Sequence, residues 1–268
     1  MNPITEPFTR RGLSVASAPF HDVALHEVEG AKTVLITALP YFFPMLPGQN
    51  LARFAALPDY HRYFGGILQE IADELKQIYP EFYFKPFTDN SPIDERKTAL
   101  QSGLAVKGKN NLCITEKGSF IFLGEIITDL EITLPSPSVA RNCGSCDRCI
   151  QACPSGALTE NGFDYTKCLA YLTQKKGELT DEERRLIRKN QLAWGCDRCS
   201  EVCPHNQGLP RADISLPPNE LLPTLTIADI ENLSDRQFRK KYAHRAFAWK
   251  GKATMLRNLY ILEDKNRE

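Results

Sequence analysis

Eight of the nine cysteines are spaced to bind iron. Cys143, Cys146, Cys149 and Cys153 follow one another at x2, x2 and x3, with Pro154 directly after. Cys196, Cys199 and Cys203 repeat the x2, x3 half before Pro204, and Cys168 stands alone between the runs. Thiolates at this spacing hold 4Fe-4S cubanes, and in two-cluster proteins the last cysteine of each run ligates the partner cluster. The arithmetic gives Cys143, Cys146, Cys149 and Cys203 to one centre. Cys153, Cys168, Cys196 and Cys199 form the other, with Cys168 replacing the first cysteine that the second run lacks. Only Cys113 is left over, alternating with apolar neighbours as a buried, inert thiol does.

Two other chemistries use paired cysteines. Zinc takes C-x2-C pairs into closed tetrahedral sites, but has no use for a twice-repeated x3-Cys-Pro ending. A disulfide framework needs an oxidising compartment, and the opening Met-Asn-Pro-Ile-Thr-Glu lacks the charged and apolar regions of a secretory signal. The expectation is reduced thiols in a cytoplasm. Lys plus Arg equals Asp plus Glu at 33 each, so nucleic acid would have to be bound by a local patch rather than by net charge. No apolar run approaches the roughly 18 residues that span a bilayer, so no membrane partner is expected.

These ligands must be positioned by a chain of 268 residues, 42% hydrophobic, which is enough for a full core and smaller modules. Thr33 to Leu39 reads as a buried central strand ending at Pro40. Phe64, Ile67, Leu68, Ile71, Leu75 and Ile78 recur at helical spacing until Pro80. Phe82 to Phe87 alternates as a strand, and Ser91-Pro92 opens a helix that carries Glu95 and Arg96 and stops at Gly103. The apolar runs 112–115 and 120–127, either side of Glu116-Lys117-Gly118-Ser119, predict a hairpin. Pro135-Ser136-Pro137-Ser138 reads as a linker and Pro217-Pro218 as a second break. Capping boxes are expected at Thr180 with Glu183 and at Ser234 with Gln237, with a last apolar helix over 255–262. The class is α+β: an N-terminal α/β domain (1–135), a two-cluster ferredoxin-like domain (136–212) and a short helical, basic C-terminal segment (213–268).

Electron-transfer wiring leaves the front domain unexplained, and there the motifs are more specific. Gly30-Ala31-Lys32-Thr33-Val34-Leu35, Asp59-Tyr60-His61 and Thr88-Asp89-Asn90-Ser91-Pro92-Ile93-Asp94-Glu95-Arg96 come first. Gly103-Leu104, Gly108-Lys109-Asn110 and the run from Gly118 through Gly124-Glu125-Ile126 follow. Cys168-Leu-Ala-Tyr-Leu-Thr, Trp194-Gly195-Cys196 and Leu256-Arg257-Asn258 complete the order. This set, over roughly residues 30 to 262, resembles the epoxyqueuosine reductase family.

The resemblance implies an oxidoreductase in which cobalamin, fed by two 4Fe-4S clusters from an external low-potential donor, removes the epoxide oxygen of epoxyqueuosine in tRNA. Asp89 is then the proton donor, and its carboxyl pKa would have to be raised for that task near neutrality. His61, Asp89, Arg96, Gly108, Lys109, Asn110 and Gly124 are placed around the cofactor. Simpler local readings stand beside these. Asp89 fits an Asx-turn before Ser91-Pro92, Arg96 a surface ion pair, His61 a structural residue, and Gly108-Lys109-Asn110 a solvated loop.

The chain also departs from the family. Ala105-Val106-Lys107 stands where Gly-Trp-Ile is common, and the resemblance is to a short form, expected to lack the C-terminal helical repeats that help grip tRNA in longer members. A basic stretch over 236–257 offers a substitute: eight Lys or Arg, no Asp or Glu, interleaved aromatics. Arg239, Lys240, Lys241 and Arg245 are its candidate phosphate contacts. The rival functions are a corrinoid reductase of a small substrate, dehalogenase-like, a two-cluster electron carrier, and a tRNA-binding module that only uses clusters as braces.

Overall fold

The computed structural model describes residues 2–137, 142–212 and 220–264. Part of the expected linker, Ser138, and the break at Pro217-Pro218 lie outside the described residues. The chain divides into two compact units, Met1–Pro40 with Tyr60–Gly144, and Tyr41–Asp59 with Ser145–Glu268.

The first unit is built on a four-stranded antiparallel sheet of β1 (Val15–Pro19), β2 (Thr33–Pro40), β3 (Phe84–Phe87) and β4 (Ile121–Thr128), in the order β1-β2-β4-β3. Almost all of β2 is buried, because it is internal and both faces are covered. Leu35 and Leu39 of β2 and Ile126 of β4 meet Phe64, Leu68, Ile71 and Leu75 of α1 (Tyr60–Ile78). One residue along, Ile36 and Ala38 face the opposite way, toward Ala99 of α2 (Glu95–Gln101) and Leu104. The two-residue period of the strands thus sorts two apolar layers. At Gly124 an added Cβ would come within 2.7 Å of both Phe64 and Leu68, so the missing side chain is what lets α1 lie close on β4.

Two local expectations are corrected. The cap of α2 is Asp94, whose Oδ1 accepts from the Lys97 amide, and not Ser91. The helix starts later because Ser91-Pro92-Ile93 runs extended enough for Ile93 to bridge Ala24. The turn at Thr115–Gly118 forms, but its two arms do not pair with each other. Cys113–Ile114 pairs back with Val106–Lys107, while β4 is taken by β2 and β3, which offer longer ladders.

In the second unit Cys-Asp-Arg-Cys occurs twice, and each copy leads into a single-turn helix, Arg148–Gln151 and Arg198–Glu201, which pack on one another. Between them come α3 (Leu169–Gln174) and α4 (Asp181–Asn190), then α5 (Asp235–Tyr242) and α6 (Lys252–Glu263). The capping boxes at Thr180 with Glu183 and at Ser234 with Gln237 both form. Leu169, Leu179, Ile187, Leu192 and Ile261 share one core, so the final helix is part of the cysteine-bearing unit. Tyr41–Asp59 joins it too, through Ala52 N–H to Trp194 O, Ala193 N–H to Asn50 O and a bridge of Leu51 to Trp194. The compact units therefore do not follow the three expected segments in sequence order. Among the described residues no helix is long and apolar enough to cross a membrane.

Candidate functional site

In the first unit, the loop from β3 to α2 carries Asp89 and Asn90 at φ 58° and 48°. Consecutive left-handed residues are costly for most side chains and least so for Asp and Asn. The conformation is held from several sides: Asn90 N–H donates to Asp89 Oδ1 at 2.9 Å, and Asp89 N–H donates to Glu95 Oε1 at 2.8 Å. Asp89 Oδ2 lies 3.5 Å from His61 Nε2 at the start of α1, and the Asp89 side chain keeps 54% of its surface exposed. His61 and Asp89 are thus brought together. The turn-like bond to Asn90 coexists with this placement.

Behind Asp89 is a residue that motif reasoning did not single out. Glu125 of β4 is fully buried, between Ile36 on β2 and Phe87 on β3 in the ladder. Neither of its carboxyl oxygens has a hydrogen-bond partner among the described residues, although Ser91 and Glu95 are near enough to act on it. Burial first, then the charge of Glu95, pushes the Glu125 carboxyl up to about 9. Burial also raises Glu95, partly offset by the Asp89 amide. The sequence signal was available: one carboxylate inside the apolar run 120–127 of an internal strand.

Arg96 does not reach Asp89. Its Nη2 donates to Asn111 O at 2.6 Å and Asn111 Oδ1 at 3.0 Å, and its guanidinium interacts with the buried Cys113 thiol. It therefore pins the 108–113 loop. In that loop Gly108 N–H donates to Leu112 O, and a Cβ at Gly108 would collide with Asn110 and Ile114. Asn110 is buried with Nδ2 unpartnered among the described residues, a donor left for something else to satisfy. Lys109 N–H donates to Cys143 Sγ at 3.4 Å. Gly124, by contrast, faces α1, where packing accounts for it.

The thiols show a common design. All nine cysteines are free. Cys168, Cys196 and Cys199 lie close enough to act on one another electrostatically, and Cys149 acts on Cys199. Burial pushes Cys196 and Cys199 each up to about 12, and a bound cation would favour their thiolate forms. At Cys153 burial is outweighed by the amides of Leu158, Ser155 and Ala157 and the Ser155 hydroxyl, and the thiol is lowered. Among the described residues no three His, Cys, Asp or Glu side chains gather around a single ion position. Sulfur ringed by N–H donors, in buried surroundings, fits a cluster ligand.

The matched motifs of this unit act by holding those cysteines. Asn258, fully buried on α6, donates through Nδ2 to Thr173 O and Ala193 O, and Gly195 N–H donates to Thr173 Oγ1. One amide thus ties together the segments that lead from Cys168 and into Cys196. Asp197, between Cys196 and Cys199, accepts from Arg53 N–H at 2.8 Å and Nη1 at 3.1 Å, with Glu201 on the same guanidinium at 3.2 Å.

The basic stretch divides in two. Arg239 and Lys240 are exposed on α5, and Lys241 reaches Asp229 O and lies over Tyr242. Arg245 is only 6% exposed and donates to Ala56 O, so its guanidinium serves the core of this unit. Phe238, Tyr242 and Phe247 are buried, whereas Trp249 is 67% exposed with Lys250 Nζ 3.6 Å from its ring centre. Trp249 rims a surface depression with Phe163, Tyr165, Tyr171, Lys175 and Cys168.

Residues 142–206 match the 4Fe-4S double cluster binding domain. The chain is 36% identical over 220 residues to the epoxyqueuosine reductase of Lactococcus garvieae, covering 78% of this chain and 60% of that one. With the Bacillus anthracis protein it shares 36% over 248 residues, covering 87% and 64%. With that of Cyclobacterium marinum it shares 32% over 250 residues, covering 89% and 78%. The chain thus spans about three fifths of the length of the first two relatives. The fold superposes on epoxyqueuosine reductase from Streptococcus thermophilus with a TM-score of 0.82 at 25% identity, over 98% of this chain and 81% of that one. It also superposes on an epoxyqueuosine reductase bound to an epoxyqueuosine-modified tRNA-Tyr stem loop, with a TM-score of 0.73 at 30% identity, over 88% and 65%.

Proposed function

The chain belongs to the epoxyqueuosine reductase family, and from that premise we propose that it reduces epoxyqueuosine in tRNA to queuosine, using cobalamin and two 4Fe-4S clusters. The observation that carries this reading is the placement of Asp89. A half-exposed carboxyl, lifted on a left-handed loop between His61 and Glu95, is what a proton donor to a bound substrate needs.

The net reaction takes two electrons and two protons: both C–O bonds of the epoxide break, a C=C bond forms, and the oxygen leaves as water. Cobalamin, when bound, supplies a strongly reducing metal centre for the bond breaking, which side chains cannot provide. The residues of the first unit fit such a group. Asn110 Nδ2 is a buried donor in want of an acceptor, and an amide-fringed corrin offers many. Asn110, the backbone of Gly108 and Lys109, and His61 would hold it, with Arg96 fixing their loop through Asn111. Asp89 gives its proton to the departing oxygen. The eight thiolates from Cys143 to Cys203 would hold the clusters, which pass electrons singly from an external low-potential donor.

For tRNA, exposed Arg239 and Lys240 offer phosphate contacts, and Trp249 offers an open ring face on which a base can stack. The deciding experiment is anaerobic reconstitution, iron and cobalt quantification, and turnover of an epoxyqueuosine-bearing anticodon stem-loop by wild type and Asp89→Asn. Bound corrinoid with turnover lost in the variant is expected. Absence of corrinoid overturns the reading, and corrinoid without turnover points to a small substrate instead.

A further inference from the structure

Glu125 has no packing reason to be acidic. It lies on the face of β4 that looks toward α2, among Ile36, Phe87 and the Val34–Ile93–Ile127 layer, where a leucine or valine would fill space without any polar atom to satisfy. Its oxygens make no hydrogen bond of ordinary geometry within the described residues, Ser91 and Glu95 being the side chains that bear on them, and a bare carboxylate there would be strongly disfavoured. A neutral acid is tolerated, and its neighbours are the ones that a proton would use. Glu95, half-buried at the mouth of α2, is close enough to couple to Glu125 and accepts the Asp89 amide.

We propose that Glu125 and Glu95 share one proton beneath the Asp89 loop and pass it to Asp89, which makes the pair the source of the second proton that epoxide removal consumes. The proposal rests on the reductase reading above. Asp89 protonates the departing oxygen as one C–O bond opens. Glu95, refilled from Glu125, reprotonates Asp89 for the second transfer, after which the oxygen leaves as water. The two electrons come from the low-potential one-electron donor, and the pair regains its proton from solvent at Glu95.

The raised position of both carboxyls agrees with this arrangement. The other charged groups around Glu125 are engaged elsewhere. From α2, Arg96 goes to Asn111 and Lys97 to Asp22 O; from β3, Lys85 lies over Tyr83; from the loop, Asp94 caps α2, and β2 has no charged residue. His61 and Asp89 complete the set.

The test is Glu125→Gln, with Glu95→Gln as the second variant should the first fail to fold. Infrared spectra of the wild-type protein are expected to show a protonated carboxyl near neutrality that Glu125→Gln lacks. In the reconstituted enzyme, kcat on the stem-loop falls about a hundredfold at mildly alkaline pH, KM is unchanged, and the alkaline limb of the kcat profile moves to lower pH. The double variant is no worse than either single one, as expected of groups acting as a unit. An ionised Glu125 near neutrality, or a Glu125→Gln enzyme with the wild-type pH profile, overturns the proposal. The acid band without wild-type turnover sinks the reductase reading, and the relay with it, while upholding the shared proton.

Discussion

The Lys109 amide donates to the Cys143 sulfur at 3.4 Å, in a loop that Arg96 anchors at its far side through Asn111. One short loop therefore touches a proposed cluster ligand and carries the buried Asn110 amide, unpartnered among the described residues. N–H donors to ligand sulfurs help set a cluster's reduction potential, so the Lys109 amide would tune a cluster held by Cys143.

Loss of Cys143 should remove one centre and leave the other. Cys143→Ala is expected to hold about four irons per chain after reconstitution, against about eight for the wild type and for Cys113→Ser. Iron quantification and the visible charge-transfer absorbance check this, and eight irons in Cys143→Ala would refute the ligand assignment.

Arg53 and Asp197 form a buried ion pair next to the second run of cysteines. Arg53→Met leaves Asp197 uncompensated, and removing one partner of such a pair costs about 3–5 kcal/mol. Denaturant unfolding of the holoprotein should show that loss, and Arg53→Lys should recover part of it. An unchanged midpoint in Arg53→Met would mean that the pair is solvated.

Glu125 also predicts a stability profile. Its folded pKa, about 9, lies above the ordinary value of 4.5, so the protonated form favours folding: the contribution is full below 4.5 and is lost as pH rises toward 9. Relative to wild type, Glu125→Gln should gain stability steadily across that window, by at most about 1.4 kcal/mol per pH unit, with a constant offset for the buried amide. Melting curves of both proteins across the window measure it, and parallel curves would contradict a buried neutral acid.

Trp249→Ala should weaken stem-loop binding by about 1–3 kcal/mol with little change in salt dependence, since stacking carries no charge. Arg239→Gln and Lys240→Gln should instead flatten the salt slope by about one each. Binding isotherms at several salt concentrations separate the two effects. Trp249→Ala binding as tightly as wild type would move the tRNA surface elsewhere.

The double-cluster binding domain, the central strand, the long amphipathic helix and both capping boxes were legible because each is a short-range pattern. Spacing fixes which thiols can share a cage, and periodicity fixes which side chains share a face. Arg245 shows where such reasoning stops: within a run of cations it looks like its neighbours, yet it is inserted into the core of the second unit against Ala56 O. The Ser91 cap failed for a similar reason, since the extended pairing of Ile93 with Ala24 outweighed local propensity.

The sequence by itself determined that residues 142–206 match a 4Fe-4S double cluster binding domain, and that the ordered motifs belong with one family of reductases. Only the tertiary structure decided that Asn258 holds the segments adjoining Cys168 and Cys196, that Tyr41–Asp59 packs with the cysteine-bearing unit, and that Glu125 stands behind Asp89. The reason is physical. Hydrogen bonds and desolvation act between groups close in space, and residues 173, 193 and 258, or 89, 95 and 125, become neighbours only when the chain has folded.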